Sequence, residues 1–583
     1  MVNKTWAIED IYKSIEDWEK DYSLAFSKIN EVLAYKGKLN EKYAFYNCMK
    51  GLEEVSRIID KLSVYAMMLK DSDTRNSTYS ALSDKVTALA VKYNSNCAFI
   101  TPELTALDDE IILAYIEDKD LTEYDNTLKS ILKGKKHVLT ENEERILALS
   151  AEPLSSFRDI FTKIDNADLP LTPLNYKGEK IPMSHGMYGV VMHSEDRLLR
   201  KKYFKNYYGA YISLMNTISA TYIASVKKDV FYAKVKKFNS ALEMALFNED
   251  VDEKVYKNLI QGVHKALPLL HRYIRLKKKN LKLKKMHMYD MYVPIVEDAE
   301  IKLSYEDAYK VVIEALSPLG EEYTALLKTA YENRWLDVEE KKGKRSGAYS
   351  VAVYDTHPYV LLNYQQTTHD IFTIAHEMGH SIHSYYSNKE QPYNKADYKI
   401  FVAEVASTVN EVLLYKHLLK NAKDKKVKKY LLSYLLEMIR TTLFRQTQFA
   451  EFEEFAHSEV EDGNAITKDS LSQKYFEINA KYYGKSVTYD EEIKYEWARI
   501  PHFYRAFYVY KYATGIISAL SIVDRIEREG EEAVKDYKKF LSSGSSDNPV
   551  ELLKIAKVDL LNKKTYEKAF NIFKDAIKEI EKL

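Results

Sequence analysis

The chain has 583 residues and carries 86 Lys and Arg against 86 Asp and Glu; zero net charge argues against a general binder of nucleic acid or membrane surfaces. Its 17 Gly and 12 Pro are few for this length, so the chain should be largely helical, and 48 Tyr supply broad cores and polar-tipped cavity walls. Cys48 and Cys97 cannot build a disulfide framework or a zinc knuckle, and there is neither an apolar leader core nor a run of about eighteen apolar residues, which together predict a cytoplasmic protein.

Residues 1 to about 115 read as long amphipathic helices, with Leu52, Val55, Ile58, Ile59 and Leu62 at helical steps and a break at Thr101-Pro102. No metal-ligand spacing occurs there, so this part is scaffold, a lid or one wall of a cleft. Thr140 to Glu143 reads as a capping box that opens a helix. Pro170, Pro173, Pro182 and several glycines between Asp165 and Met192 predict a loop-rich excursion with a small hairpin. The main boundary is placed after it, giving an N-terminal helical lobe over 1–195 and a catalytic domain over 196–583. New helices begin around Asp196, with Arg197, Arg200, Lys201 and Lys202 expected on a solvated face.

The stretch Leu269 to Ile295 is the most basic in the chain. Its cations alternate with apolar residues at helical spacing and lack an aromatic stacking platform, so no nucleic-acid partner is expected. Tyr289 to Pro294 should leave the helix as an extended segment. From Gly343 the pattern turns β-rich. Gly347 to Tyr354 and Pro358 to Tyr364 read as two strands around a turn at Asp355-Thr356-His357. An edge strand there can pair with an extended peptide through backbone hydrogen bonds.

The chemistry concentrates in Thr367 to Ser387, which contains His376-Glu377-Met378-Gly379-His380. Residues four apart on a helix share a face, so both imidazoles can reach one metal ion, while Glu377 points aside as a general base. Ile371, Ile374, Ala375, Met378, Ile382 and Tyr385 supply the apolar stripe, and Thr367 or Thr368 the N-cap. A chance match is the competing reading, and the amphipathic setting weighs against it.

A catalytic zinc takes three protein ligands and keeps one position open. His383 is one candidate for the third, although consecutive turns of one straight helix fit a tetrahedral ion poorly. Glu404 is favoured. The helix from Ile400 is apolar nearly all round, and Glu404, Ser407, Thr408 and Glu411 fall on its single polar stripe. Buried carboxylates need a cation to face. Zinc held by Glu404, with Ser407 and Glu411 orienting the ligands, supplies one.

HPYVLLNYQQTTHDIFTIAHEMGHSIHS, QPY at 391–393 and FVAEVASTVNE resemble the oligoendopeptidase F family, bacterial zinc metallopeptidases related to thimet oligopeptidase. LHRYIRLKKKNLKLKKMHMYDMYVPI and IPHFYRAFYVYKYATG extend the resemblance, with weaker likeness in VLTENEERILAL and RLLRKKYF. It implies a mainly α-helical, two-lobed zincin-type metallopeptidase with a deep central channel and a small sheet beside the active-site helix. One Zn2+ per chain would be held by His376, His380 and Glu404, with Glu377 as general base and oligopeptides cut at internal bonds. The resemblance further implies that His502 and tyrosines near it stabilise the oxyanion, Tyr508 and Tyr510 being favoured over Tyr504 and Tyr512. Two other readings stay open. A zinc carboxypeptidase or dipeptidyl carboxypeptidase would use Arg499 or Arg505 to hold the terminal carboxylate. A non-catalytic peptide-binding zinc protein would have no use for Glu377.

Overall fold

The computed structural model describes residues 4–296, 299 and 301–583. The fold is mainly helical, with three small sheets of two or three short strands among the described residues. The chain forms two units, each drawn from three stretches. The first comprises Met1–Val138, Ile301–His417 and Ile522–Val558; the second comprises Leu139–Glu300, Leu418–Ser521 and Asp559–Leu583. The boundary expected near residue 195 lies inside the second unit. No helix among the described residues is long and apolar enough to cross a membrane.

In the first unit, helices Ile15–Val32, Lys42–Ser72 and Ser77–Cys97 pack their apolar faces into one core that includes Trp18, Ile29, Val55, Leu62 and Leu82. The Trp18 indole N–H donates to the Leu62 carbonyl at 3.0 Å, so the one polar atom of that ring is satisfied inside the core. Tyr359 and Leu361 enter the same core. They belong to strand Tyr359–Leu361, which lies between Leu336–Asp337, its parallel partner, and Tyr349–Val351, its antiparallel partner. The two strands expected from the sequence are therefore present, and Tyr349–Val351 is an edge.

Helix Thr368–Glu390 follows this sheet. Its start is set by a capping box in which Thr367 Oγ1 accepts from the Asp370 N–H at 3.2 Å and Asp370 Oδ2 accepts from the Thr367 N–H at 2.9 Å. Every member of the expected apolar stripe except Tyr385 is buried.

In the second unit, the Thr140–Glu143 capping box opens helix Glu141–Lys163 and the hairpin forms from Leu174–Tyr176 and Glu179–Ile181, as the sequence predicts. Asp196 caps helix Arg197–Ser213. The expected solvated basic face is wrong for Arg200. That side chain is 3% exposed and its guanidinium donates to the fully buried Asp290 at 2.8 Å and to the carbonyls of Ser194, Glu195 and Tyr289. Tyr289 to Pro294 is not extended either, because Met288–Asp290 coils into a 3-10 turn that presents Asp290 to Arg197 and Arg200. Part of the basic stretch is likewise internal. Lys277, on helix Glu253–Asn280, is fully buried and donates to Glu437 at 2.7 Å and to the Met291 carbonyl at 2.5 Å.

Candidate metal centre

Helix Thr368–Glu390 and helix Ile400–Asn421 approach unusually closely at Gly379. A Cβ on Gly379 would lie 2.6 Å from Ser407 Cα and 2.8 Å from the Ala406 carbonyl oxygen, distances that only glycine permits. Asn410 bridges the same pair, donating to the Ala375 carbonyl at 3.0 Å and accepting from the Tyr323 hydroxyl at 3.0 Å. Close approach is what carries Glu404 to the two histidines.

His376, His380 and Glu404 each offer one donor atom, and these atoms lie within 4.8 Å of one another. Glu404 Oε2 stands 3.5 Å from His376 Nε2 and 3.7 Å from His380 Nε2. The far side of each ring is held. Glu411 Oε1 lies 2.5 Å from His376 Nδ1, and the Ala403 carbonyl bonds the His380 ring. Such partners fix the tautomer that leaves Nε2 free as a ligand. Ser407 Oγ donates to Glu404 Oε2 at 3.3 Å. Two imidazoles and a carboxylate in this arrangement fit a divalent, nitrogen-and-oxygen-bound ion with room for a further ligand.

Burial and charge shape the protonation of the cluster. Burial works against protonated His376, but the Glu411 carboxylate outweighs it and raises the group to about 9. Burial and the neighbouring His376 push His380 down to about 3. A metal would displace the His376 proton. Glu377 is 7% exposed, and burial raises it to about 7, opposed chiefly by His376. The Ser350 backbone N–H also bonds its carboxylate, so the edge strand touches the base itself. Ser381 Oγ ties the strand to the helix, 2.8 Å from Ser350 Oγ and donating to the Glu377 carbonyl at 2.9 Å. Among the described residues no Lys or Arg pairs with Glu377, Glu404 or Glu411.

His383 stands apart from this group. It is buried, stacked on Tyr398 with ring centroids 3.7 Å apart and 10° between planes, and packed on Phe540. Burial holds it neutral, near 3.

His502, Tyr508 and Tyr510 belong to the second unit. Pro501–Tyr504 forms a 3-10 turn and helix Tyr510–Glu529 begins six residues later. The His502 ring lies 6.2 Å from Tyr508 and 6.0 Å from Tyr512, and those tyrosines are 5.5 Å apart. Tyr510 faces the other way. It is fully buried against Tyr256, ring centroids 5.2 Å apart, and cannot contact a substrate, which corrects its expected role. Tyr504 is also buried, stacked on Phe161. Tyr512, a candidate the sequence ranked behind Tyr508 and Tyr510, is the tyrosine that lies with Tyr508 beside His502. Arg499 is committed to Glu496 and the Tyr208 hydroxyl, at 3.1 Å each, whereas Arg505 lies over the Tyr508 ring.

Residues 190–572 match peptidase family M3 and residues 103–170 match Oligopeptidase F. Oligopeptidase PepF of Bacillus subtilis (strain 168) is 42% identical over 99% of this chain and 87% of its own length. An oligoendopeptidase F homolog of Lactococcus lactis subsp. lactis is 40% identical over 99% of this chain and 97% of its own. Among solved structures, a Chlamydophila abortus chain superposes with a TM-score of 0.94 at 36% identity, covering 99% and 98% of the two chains. Oligoendopeptidase-F from Enterococcus faecium gives a TM-score of 0.75 at 35% identity, covering 97% and 98%. The histidines, the glutamates and the glycine that seats them thus sit in a chain that belongs to peptidase family M3, a family of metal-dependent peptidases, and within it to the oligoendopeptidase F group.

Proposed function

We propose that this protein is a zinc-dependent endopeptidase that hydrolyses internal bonds of short oligopeptides, with one Zn2+ per chain held by His376, His380 and Glu404. The observation that carries the reading is three donor atoms within 4.8 Å beside a buried Glu377, with no Lys or Arg to neutralise the carboxylates among the described residues. A divalent ion bound there supplies Lewis acidity toward water and the scissile carbonyl.

The remaining work falls to the chain's own groups. Glu377, buried beside the three donors and bonded by the Ser350 N–H, is the base. One of its carboxylate oxygens takes a proton from the attacking water and returns it to the leaving amine nitrogen. Glu411 and the Ala403 carbonyl keep the histidine rings aimed. The edge strand Tyr349–Val351 lies beside Glu377, where an extended substrate would run along it. His502 and Tyr508 are assigned to the oxyanion on family resemblance, with Tyr512 in place of Tyr510. The assignment of 1–195 and 196–583 as N-terminal and catalytic modules is supported by the two family matches, which meet between 170 and 190. A cytoplasmic location is proposed on the unpaired Cys48 and Cys97.

Because Arg499 is consumed by internal contacts, the carboxypeptidase reading is left with Arg505 alone. An internally quenched peptide with both termini blocked separates the two: the endopeptidase cleaves it, and cleavage only of free-C-terminus peptides would favour the exopeptidase. Glu377→Gln should lower kcat by ~10²- to 10⁴-fold while metal analysis still returns one zinc per chain; near-native turnover in the loaded variant would remove the base from the reading.

A further inference from the structure

Phe507 adopts φ +53°, a left-handed conformation that is costly for a bulky side chain. The residue is 2% exposed, with its ring 4.6 Å from His457 and 5.9 Å from Tyr256. It lies between the two segments that carry His502 and Tyr508. Arg505 N–H closes the first by donating to the His502 carbonyl at 2.9 Å, and Lys511 N–H begins the second by donating to the Tyr508 carbonyl at 3.2 Å. The left-handed residue turns the chain back between them, so that the His502, Tyr508 and Tyr512 rings share one face while Tyr510 goes into the core.

The Phe507 N–H sits before the helix and has no helical acceptor. It donates instead to Glu453 Oε1 at 3.1 Å. Glu453, on helix Arg445–Glu461, is 0% exposed, and its second oxygen, Oε2, has no hydrogen-bond partner. The groups around it are Tyr222, Tyr256 and Asp229, together with His457, whose Nδ1 bonds the Glu453 carbonyl at 2.8 Å and whose Nε2 lies 3.4 Å from Asp229 Oδ2. Nothing cationic pairs with the carboxyl among the described residues, and an ionised carboxylate left so would be expensive. Burial raises the group well above its ordinary value, against the Phe507 N–H bond and with Asp229 adding, which favours the neutral acid.

We propose that Glu453 is a positioning residue that pins the left-handed turn at Phe507 and thereby sets where His502, Tyr508 and Tyr512 stand. The proposal rests on the reading above that His502 and Tyr508 act on the substrate. A neutral carboxyl that only accepts from a backbone N–H can be replaced by an amide, whereas its removal frees the turn. A displacement of about 1 Å in a catalytic group costs on the order of 10²-fold in rate.

The test uses full-length, zinc-loaded Glu453→Ala, Glu453→Gln, Tyr508→Phe, His502→Ala and Glu453→Ala/Tyr508→Phe on an internally quenched peptide, well below each melting temperature. Glu453→Ala should lower kcat ~10- to 100-fold, with KM within about threefold and metal content unchanged. Glu453→Gln should keep kcat within about threefold, and the double variant should be no more than about threefold worse than Tyr508→Phe. A folded Glu453→Ala with native kcat, or losses that multiply in the double variant, would overturn the proposal. If Tyr508→Phe and His502→Ala are native while Glu453→Ala is impaired, it is their assigned role that fails. Should Glu453→Ala not fold, Glu453→Asp withdraws the acceptor by one methylene and should lower kcat at least about threefold; native kcat there is equally decisive against it.

Discussion

Two sets of carboxylates, one in each unit, are balanced in opposite ways. In the second unit, three acids are bracketed by fixed cations, whereas Glu453 is buried without one among the described residues. Glu437 meets Lys277 and Arg440, both at 2.7 Å; Glu496 meets Arg445 at 2.5 Å and Arg499 at 3.1 Å; Asp290 meets Arg197 and Arg200. Burial alone would raise Glu437 and Glu496, but these partners pull both down to about 2. In the first unit, Glu377, Glu404 and Glu411 have only histidines to face, and burial leaves Glu377 near 7. A carboxylate with its cation built in is structural and closed. A carboxylate cluster whose only nearby bases are aimed imidazoles is open to an ion from outside.

That contrast can be broken most severely at Glu404. Glu404→Ala should drop zinc to near zero by elemental analysis and take peptidase activity with it, while full occupancy would return His383 to contention as third ligand. Next comes Glu411→Gln, which keeps the shape but removes the charge on His376. It should weaken zinc affinity by ~10- to 100-fold in competition with a chelator, without unfolding the protein. Unchanged affinity would show that Glu411 does not hold the ligand.

In the second unit the effect is on stability. Glu496→Gln leaves Arg445 and Arg499 without their carboxylate and should cost ~3 kcal/mol in denaturant unfolding, with zinc content intact. The pH dependence follows from the same pairs. Glu437 and Glu496 have folded values near 2, below their ordinary value of 4.5, so the stabilisation is complete above about 4.5 and is lost as pH falls toward 2. Unfolding midpoints measured from pH 6 to 3 should decline, and decline less in Glu496→Gln. The smallest expected effect is at Gly379. Gly379→Ala pushes a methyl into Ser407 Cα and should destabilise by ~1–3 kcal/mol while lowering zinc affinity, because the helix that carries Glu404 must retreat. A variant with native affinity would mean that helix spacing is not what seats the third ligand.

Local pattern alone was enough for several features. The helix at Thr368–Glu390, its cap at Thr367, the two strands before it and the hairpin at 174–181 all follow from capping chemistry, period and turn residues, which act over a few neighbours. The pairing of His376 with His380 follows from helical spacing. Charge signs in the basic stretches do not tell where a side chain goes, because a lysine or an arginine is internal when an acid from elsewhere in the chain meets it. Lys277 with Glu437 and Arg200 with Asp290 are such cases, separated by 160 and 90 residues.

By itself, then, the sequence determined the helical class, the helix that carries His376 and His380 and the donor types on the Glu404 stripe, because each depends on contacts within a turn or two. The tertiary structure alone decided three things. It showed which glycine lets Glu404 reach the histidines, since Gly379 matters only once Ser407 lies against it. It turned Tyr510 inward and Tyr512 toward His502, since a left-handed Phe507 resets the face on which each residue falls. It also showed which buried carboxylates already have a cation, since that depends on side chains brought together from distant parts of the chain.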